Sequence, residues 1–155
     1  MHVRYSHKLH RQRAIVASGE LGGLQHVESC FRLPRIPMAA GDFRLSFELG
    51  GGAGMDVGCY AVSCLRYVAG QEPEVVSARY RRAAPQVDRW MRAACRFPSG
   101  AKGTVECGFR GWYTTRLGVW ATCERGWVRW EKGGLAVKKD GRVVREEIPD
   151  NWTLQ

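Results

Sequence analysis

No stretch of this chain is apolar for the ~20 residues that a membrane-spanning helix requires, so a helical span is excluded. Cysteine is present six times but never as a Cys-x-x-Cys pair, which removes the spacing of common zinc sites. The four histidines, His2, His7, His10 and His26, make no convincing metal-ligand set: His7 and His10 are three apart on a basic helix with no partner Cys or carboxylate nearby. They read as surface or helix residues. Glycine is plentiful, yet no Gly-x-Gly-x-x-Gly opens a helix directly after a buried parallel strand, so a dinucleotide-binding βαβ unit is missing from the pattern. Internal repeats, low-complexity tracts and linkers are also missing. Acidic residues are in short supply: fifteen Asp and Glu stand against twenty-four Lys and Arg, for a net charge of +9.

What is there fits one ordinary soluble domain. The chain has 155 residues, 45% of them hydrophobic and 25% charged. That length buries roughly 70% of the unfolded surface around a single core. Residues 1–155 are therefore read as one domain. Met1 to Arg13 is basic and lacks the apolar run of a secretory signal, so a cytoplasmic protein with reduced, buried thiols is expected. The positive charge is spread along the sequence and is densest only over His7 to Arg13. A nucleic-acid surface is consequently the less favoured reading of it.

His7 to Ser18 reads as a helix closed by Gly19, and Leu24 to Leu33 as a strand. Pro34 to Asp42 reads as a loop, and Gly50 to Gly54 as a glycine-rich turn. Met55, Cys59, Val62 and Leu65 recur at helical spacing and predict the apolar stripe of a second helix ending at Gly70. Gly58 costs that helix roughly 1 kcal/mol relative to alanine, and leaves a gap where another element can pack closely. From Pro73 onward the period changes to two. Val76 to Tyr80, Met91 to Phe97, Val105 to Phe109 and Leu117 to Ala121 alternate with polar neighbours. Pro98-Ser99-Gly100 and Lys139-Asp140-Gly141 supply hairpin turns. The expected fold is α+β: an open-faced, mostly antiparallel meander with helices on one face. The opposite face is predicted to carry Trp90, Arg92, Arg96, Arg110, Arg116 and Trp120. Tryptophan and arginine are interface residues more than solvating ones, so this face is expected to join two copies of the chain into a homodimer.

Asp56 and Tyr60, four apart, are expected to share one helix face away from the apolar stripe. A tyrosine phenol titrates near ~10 and needs a nearby cation to act as a base at neutral pH. Judged by themselves, an acid favoured by the helix macrodipole and a packed tyrosine explain the pair better than catalysis does.

The segment Glu48 to Val62, E-L-G-G-G-A-G-M-D-V-G-C-Y-A-V, resembles the signature of the glucose-fructose oxidoreductase / inositol dehydrogenase (Gfo/Idh/MocA) family. Gly19-Glu20-Leu21-Gly22, Arg66-Tyr67 with Gly70, Pro73-Glu74-Val75-Val76, Val87-Asp88, Phe97-Pro98-Ser99-Gly100 and Gly103-Thr104 fit the same family's C-terminal domain. Tyrosine at position 60, where many members have histidine, makes the chain look most like the dihydrodiol and xylose dehydrogenase branch. The resemblance implies an NAD(P)-dependent enzyme acting on a sugar or diol hydroxyl. Tyr60 is then the catalytic proton donor or acceptor, and Asp56 hydrogen-bonds and orients the substrate. Arg4 and Tyr5, in Arg4-Tyr5-Ser6-His7, resemble a substrate-lining stretch, although Lys8 stands where proline is common. The family's N-terminal Rossmann domain, which binds the cofactor and donates a lysine to the site, is expected to lie outside this chain. Asn151-Trp152 looks like the opening of a truncated final helix. On this reading the chain is inactive alone. A non-catalytic dimerisation or binding module from the same family is the rival reading, and a basic nucleic-acid binder the third.

Overall fold

The computed structural model describes residues 2–34, 41–111 and 116–149. Most of the loop predicted from Pro34, and the helix expected at Asn151, lie outside those residues. A 3-10 turn over His2–Tyr5 leads into α1 (His7–Ala17). Strand β1 (Leu24–Pro34) follows, and then the second helical region before α2 (Cys59–Ala69). Seven more strands complete the described chain: β2 (Glu74–Ala84), β3 (Val87–Arg96), β4 (Lys102–Gly111), β5 (Arg116–Cys123), β6 (Gly126–Glu131), β7 (Gly134–Lys139) and β8 (Arg142–Glu147).

The predicted hairpins are present because their turns are written locally. Gly100 takes φ 86° between β3 and β4, and Asp140 and Gly141 take φ 50° and 76° between β7 and β8. Such left-handed values suit glycine and aspartate and match the twist of a tight hairpin.

The meander itself is interrupted. The sheet order is β2-β3-β4-β1-β5-β6-β7-β8, so the first strand enters the middle. There β1 runs parallel to β4, with Val27 beside Gly103, and antiparallel to β5, with Val27 beside Ala121. A continuous meander from Pro73 onward is therefore corrected. Local turn signals mark neighbouring strands but carry no information on a pairing some 75 to 95 residues away in sequence.

One face of the sheet is covered by α1 and α2 and carries the core. Val27, Phe31, Val105, Cys107, Phe109, Val119, Ala121 and Val128 meet Leu9, Ile15, Leu65 and Val68 there. Gln12, fully buried on α1, donates to the carbonyls of Val119 and Val128 and ties the helix to β5 and β6. The helix near Tyr60 departs from the predicted stripe. Residues Gly54–Gly58 form a π-helical turn before α2 begins. Its wider turn rotates the face that meets the sheet, so Met55 is 67% exposed and Val62 is exposed as well. Of the predicted stripe Leu65 is buried and Cys59 half-buried, and the other buried positions are Val57, Gly58, Ala61, Ser63, Cys64 and Val68. Small residues occupy this seam because β4 lies against it: a Cβ on Gly58 would sit 3.0 Å from the Cys107 sulfur.

Five of the six cysteines are buried and none is in a disulfide. Burial pushes the Cys64 and Cys107 thiols up to about 12, and Cys30 to about 11. The thiolate is the reactive form, so these groups are inert in the folded chain. Brief alkylation of the native protein is expected to label the half-buried Cys59 first. Modification of the other five is expected only after denaturation; peptide mapping that found Cys107 labelled as fast as Cys59 would contradict this packing.

Candidate functional site

A cleft of about 620 Å³ opens where α1, the π turn, β1, β5 and β6 meet. Val3, Phe31, Leu33, Val57, Leu117 and Trp130 form its apolar walls, and Tyr60, Lys8, Glu131 and Lys132 are its polar lining. That volume is in the range of small-molecule sites. Tyr60 is half-buried, with its ring near-parallel to Phe31 at 17° and the centroids 6.2 Å apart. The tyrosine is thus packed on its α2 turn against β1, and the residue belongs to the cleft lining.

Several non-local contacts hold the segment that presents Tyr60. Asp88, near the start of β3, accepts hydrogen bonds from the Gly54 N–H at 3.2 and 3.0 Å through its two oxygens. This carboxylate sits at the helix N-terminus, where the macrodipole favours it. Gly51 and Gly52 donate to the carbonyls of Ser46 and Arg44. A side chain on Gly51 would meet three backbone carbonyls at 2.6–2.7 Å, so glycine is required at that point.

The predicted site residues are divided by the structure. Tyr60 lines the cleft. Asp56 is not among the lining residues; its Oδ2 accepts from Arg44 Nε at 3.0 Å. Tyr5 is 75% exposed in the 3-10 turn beside the cleft-lining Val3. Arg4 belongs to the same turn, but its side chain is outside the described residues. The sequence reading missed Lys8, Trp130, Glu131 and Lys132, which come from α1 and the β6–β7 corner. Only the lysine at position 8, in a segment that otherwise resembles a site-lining stretch, offered a signal.

The electrostatics of the cleft are one-sided. Glu131 is its lining carboxylate among the described residues, and Arg129 and Arg145 each donate to it, at 2.9 and 3.0 Å. Those two hydrogen bonds hold the Glu131 carboxyl below the usual carboxylate range. Lys8, 7% exposed, and Lys132, exposed, add positive charge to the same space.

Among the described residues, the glycine-rich segment does not fit the phosphates of a dinucleotide. Its N–H groups are already used: Gly51 and Gly52 by carbonyls, Gly54 by Asp88. The glycine-rich turn that leads into α2 does not open a helix directly after the parallel strand β1, because fifteen residues separate Pro34 from Gly50. Among the described residues no group of His, Cys, Asp and Glu could hold a metal ion, and no helix is long and apolar enough to cross a membrane.

Comparison with known proteins places this geometry. D-xylose 1-dehydrogenase (NADP(+)) 2 of Haloferax volcanii is 37% identical over 103 residues, 66% of this chain and 31% of that protein. Trans-1,2-dihydrobenzene-1,2-diol dehydrogenase of Sus scrofa is 27% identical over 116 residues, 71% of this chain and 32% of that one. The chain thus spans about a third of the length of these curated relatives. Among solved structures, aldose-aldose oxidoreductase from Caulobacter crescentus, complexed with glycerol, shares the fold with a TM-score of 0.80 at 23% identity. That match covers 96% of this chain and 47% of the other. Residues 9–129 match the family model described as the GFO/IDH/MocA C-terminal domain, and the chain belongs to that family.

Proposed function

We propose that this chain is the substrate-binding and dimer-forming part of a cytoplasmic NAD(P)-dependent oxidoreductase that acts on a sugar or diol hydroxyl. The observation that carries the reading is Tyr60, stacked on Phe31 of β1 at the wall of the cleft beside the family signature. Relatives named as xylose and dihydrodiol dehydrogenases support the substrate class. Tyr60 Oη gives or takes the proton of the reacting hydroxyl. Asp56, one turn earlier and steadied by Arg44, hydrogen-bonds the substrate and orients it. Arg4 and Tyr5 are the further substrate-binding residues in this reading, as the family resemblance implies. The apolar walls cover the C–H faces of the substrate and keep water from the proton in transit.

NAD(P) supplies the oxidising or reducing equivalent and is bound mainly by a dinucleotide domain outside these 155 residues. Positioned transfer requires the nicotinamide held against the substrate, which this chain does not do by itself. The purified 155-residue chain is therefore expected to give no detectable reduction of NAD+ or NADP+ with D-xylose or a trans-dihydrodiol. Turnover by the chain alone would contradict this division of labour.

The open face supports a homodimer. Register places Trp90, Arg92 and Arg96 of β3 on the same side as Glu106, Glu28, Arg116 and Trp120. No helix covers that side among the described residues, and Arg110, predicted there, has a side chain outside them. A second copy packs this face against its own counterpart across a two-fold axis.

A further inference from the structure

We propose that Asp88, outside the cleft lining, is a positioning residue of the Tyr60 site: its carboxylate holds the π turn, and the π turn sets where Asp56 and Val57 stand relative to Tyr60. This goes beyond the substrate-site reading and rests on it. A π turn such as Gly54–Gly58 is a rare backbone form, so a specific contact has to select it over the α-helical one. Each of its residues advances less than the ~100° of an α-helical residue. Downstream, α2 is fixed against the sheet by the buried Ala61, Cys64, Leu65 and Val68, and Tyr60 by its stack on Phe31. Relaxation of the turn to α-helical form would leave Tyr60 in place and swing Asp56 and Val57 about the helix axis. Val57 is the member of the turn that lines the cleft.

Asp88 is placed to prevent that relaxation. It follows Val87, 1% exposed, which anchors the start of β3. Both Asp88 oxygens accept from the Gly54 N–H, at 3.2 and 3.0 Å, at the first residue of the turn. The chain leaves room for this carboxylate on the other side too. Gly52 takes φ 116°, and a Cβ on it would sit 2.5 Å from Asp88 Oδ1. The Gly52 carbonyl in turn accepts from the Asp56 N–H at 3.0 Å. One run of contacts therefore leads from the root of β3 to the backbone of Asp56.

The test uses Asp88→Ala and Asp88→Asn, in the full chain for NMR and in the complete enzyme for kinetics. In amide spectra of the chain, Asp88→Ala should displace the signals of Met55, Asp56 and Val57 and speed exchange of the Gly54 N–H roughly tenfold or more. The signals of Cys64 to Val68 should stay in place. With NADP+ and D-xylose, kcat should fall roughly tenfold or more at a temperature where the variant is fully folded, with KM for NADP+ within about twofold. Asp88→Asn keeps one acceptor oxygen for Gly54 and is expected to lose only about threefold, a partial rescue. If Asp88→Ala does not fold, judged by its amide spectrum, Asp88→Asn decides in both arms. A plain structural brace would lower the thermal midpoint and leave kcat unchanged in the folded variant. That result, or unmoved Asp56 and Val57 signals, overturns the proposal. Turnover that is absent, or that ignores Tyr60→Phe, would sink the catalytic reading alone, and the amide spectra would still decide whether Asp88 places the turn.

Discussion

In the complete enzyme, Tyr60→Phe is expected to lower kcat by on the order of 10²-fold or more, the scale of losing a general acid or base. The substitution removes one oxygen and leaves the ring, so packing against Phe31 and the apolar wall survives. KM should move much less than kcat, because the lost interaction develops at the proton in transit and not in ground-state binding. The expected thermal midpoint is close to wild type, since the half-buried side chain keeps its apolar contacts. Asp56→Asn gives a useful contrast. It weakens the hold of Arg44 on the π turn and orients substrate less well, so its effect should appear in KM as well as kcat. An unchanged kcat in Tyr60→Phe would return the residue to a packing role.

The second large effect is on assembly. Trp90→Ala combined with Trp120→Ala should shift the sedimenting species from dimer to monomer with the core intact. Each indole appears twice across a two-fold interface, so even ~1 kcal/mol apiece removes about 4 kcal/mol, roughly a thousandfold in Kd. On this face arginines are paired with the acidic residues Glu106 and Glu28. Glu106, 6% exposed, accepts from Trp90 Nε1 at 3.0 Å and pairs with Arg32 at 3.2 Å, with Arg92 at 3.8 Å. Arg116 pairs with Glu28 and lies over the Trp120 ring at 4.7 Å. These contacts cancel part of the face's positive charge, so two such faces would repel less than their arginine count implies. Core residues such as Val105 and Val119 lie on the other side of the sheet, so near-native stability is expected of the double variant. A wild-type chain that sediments as a monomer at tens of micromolar would rule out this face as the interface.

The edge strands bear on the same question. β2 is exposed along nearly its whole length, with Val75, Val76 and Tyr80 in water, and Val143 and Val144 of β8 are exposed at the other edge. Free strand edges with apolar side chains are liabilities unless something covers or charges them. Arg79, Arg81 and Arg82 supply charge on β2 itself.

Much of this architecture is legible in the sequence, and what is not follows a physical rule. The β3–β4 and β7–β8 hairpins can be read because Gly100, Asp140 and Gly141 encode their turns within a few residues. The arginine and tryptophan face can be read because strand alternation is strictly two. The insertion of β1 between β4 and β5 cannot, since its pairing depends on the whole sheet. Nor can the buried face of α2: the apolar look of Met55 and Val62 points to the wrong side, and only the π turn and the approach of Cys107 explain why Gly58 and Ala61 lie inside. Tyr60 stands out through its signature segment, whereas the Asp88 cap on Gly54 and the Arg44 clamp on Asp56 join segments far apart or through an unpatterned loop. Lys8 and the Trp130–Lys132 corner meet Tyr60 only once the sheet is assembled.

The central claim is that these residues form the substrate half of a sugar or diol dehydrogenase. Its most direct test is to join this chain to the dinucleotide-binding domain of the Haloferax volcanii xylose dehydrogenase, to which it is 37% identical over 103 residues. Substrate-dependent reduction of NADP+ is then measured with a panel of sugars, sugar acids and diols, for wild type and Tyr60→Phe in parallel. The account predicts turnover of at least one substrate by the wild-type assembly and loss of about 10²-fold of it in Tyr60→Phe. A folded, cofactor-binding assembly that turns over none of them, or one in which Tyr60→Phe is as fast as wild type, would contradict it.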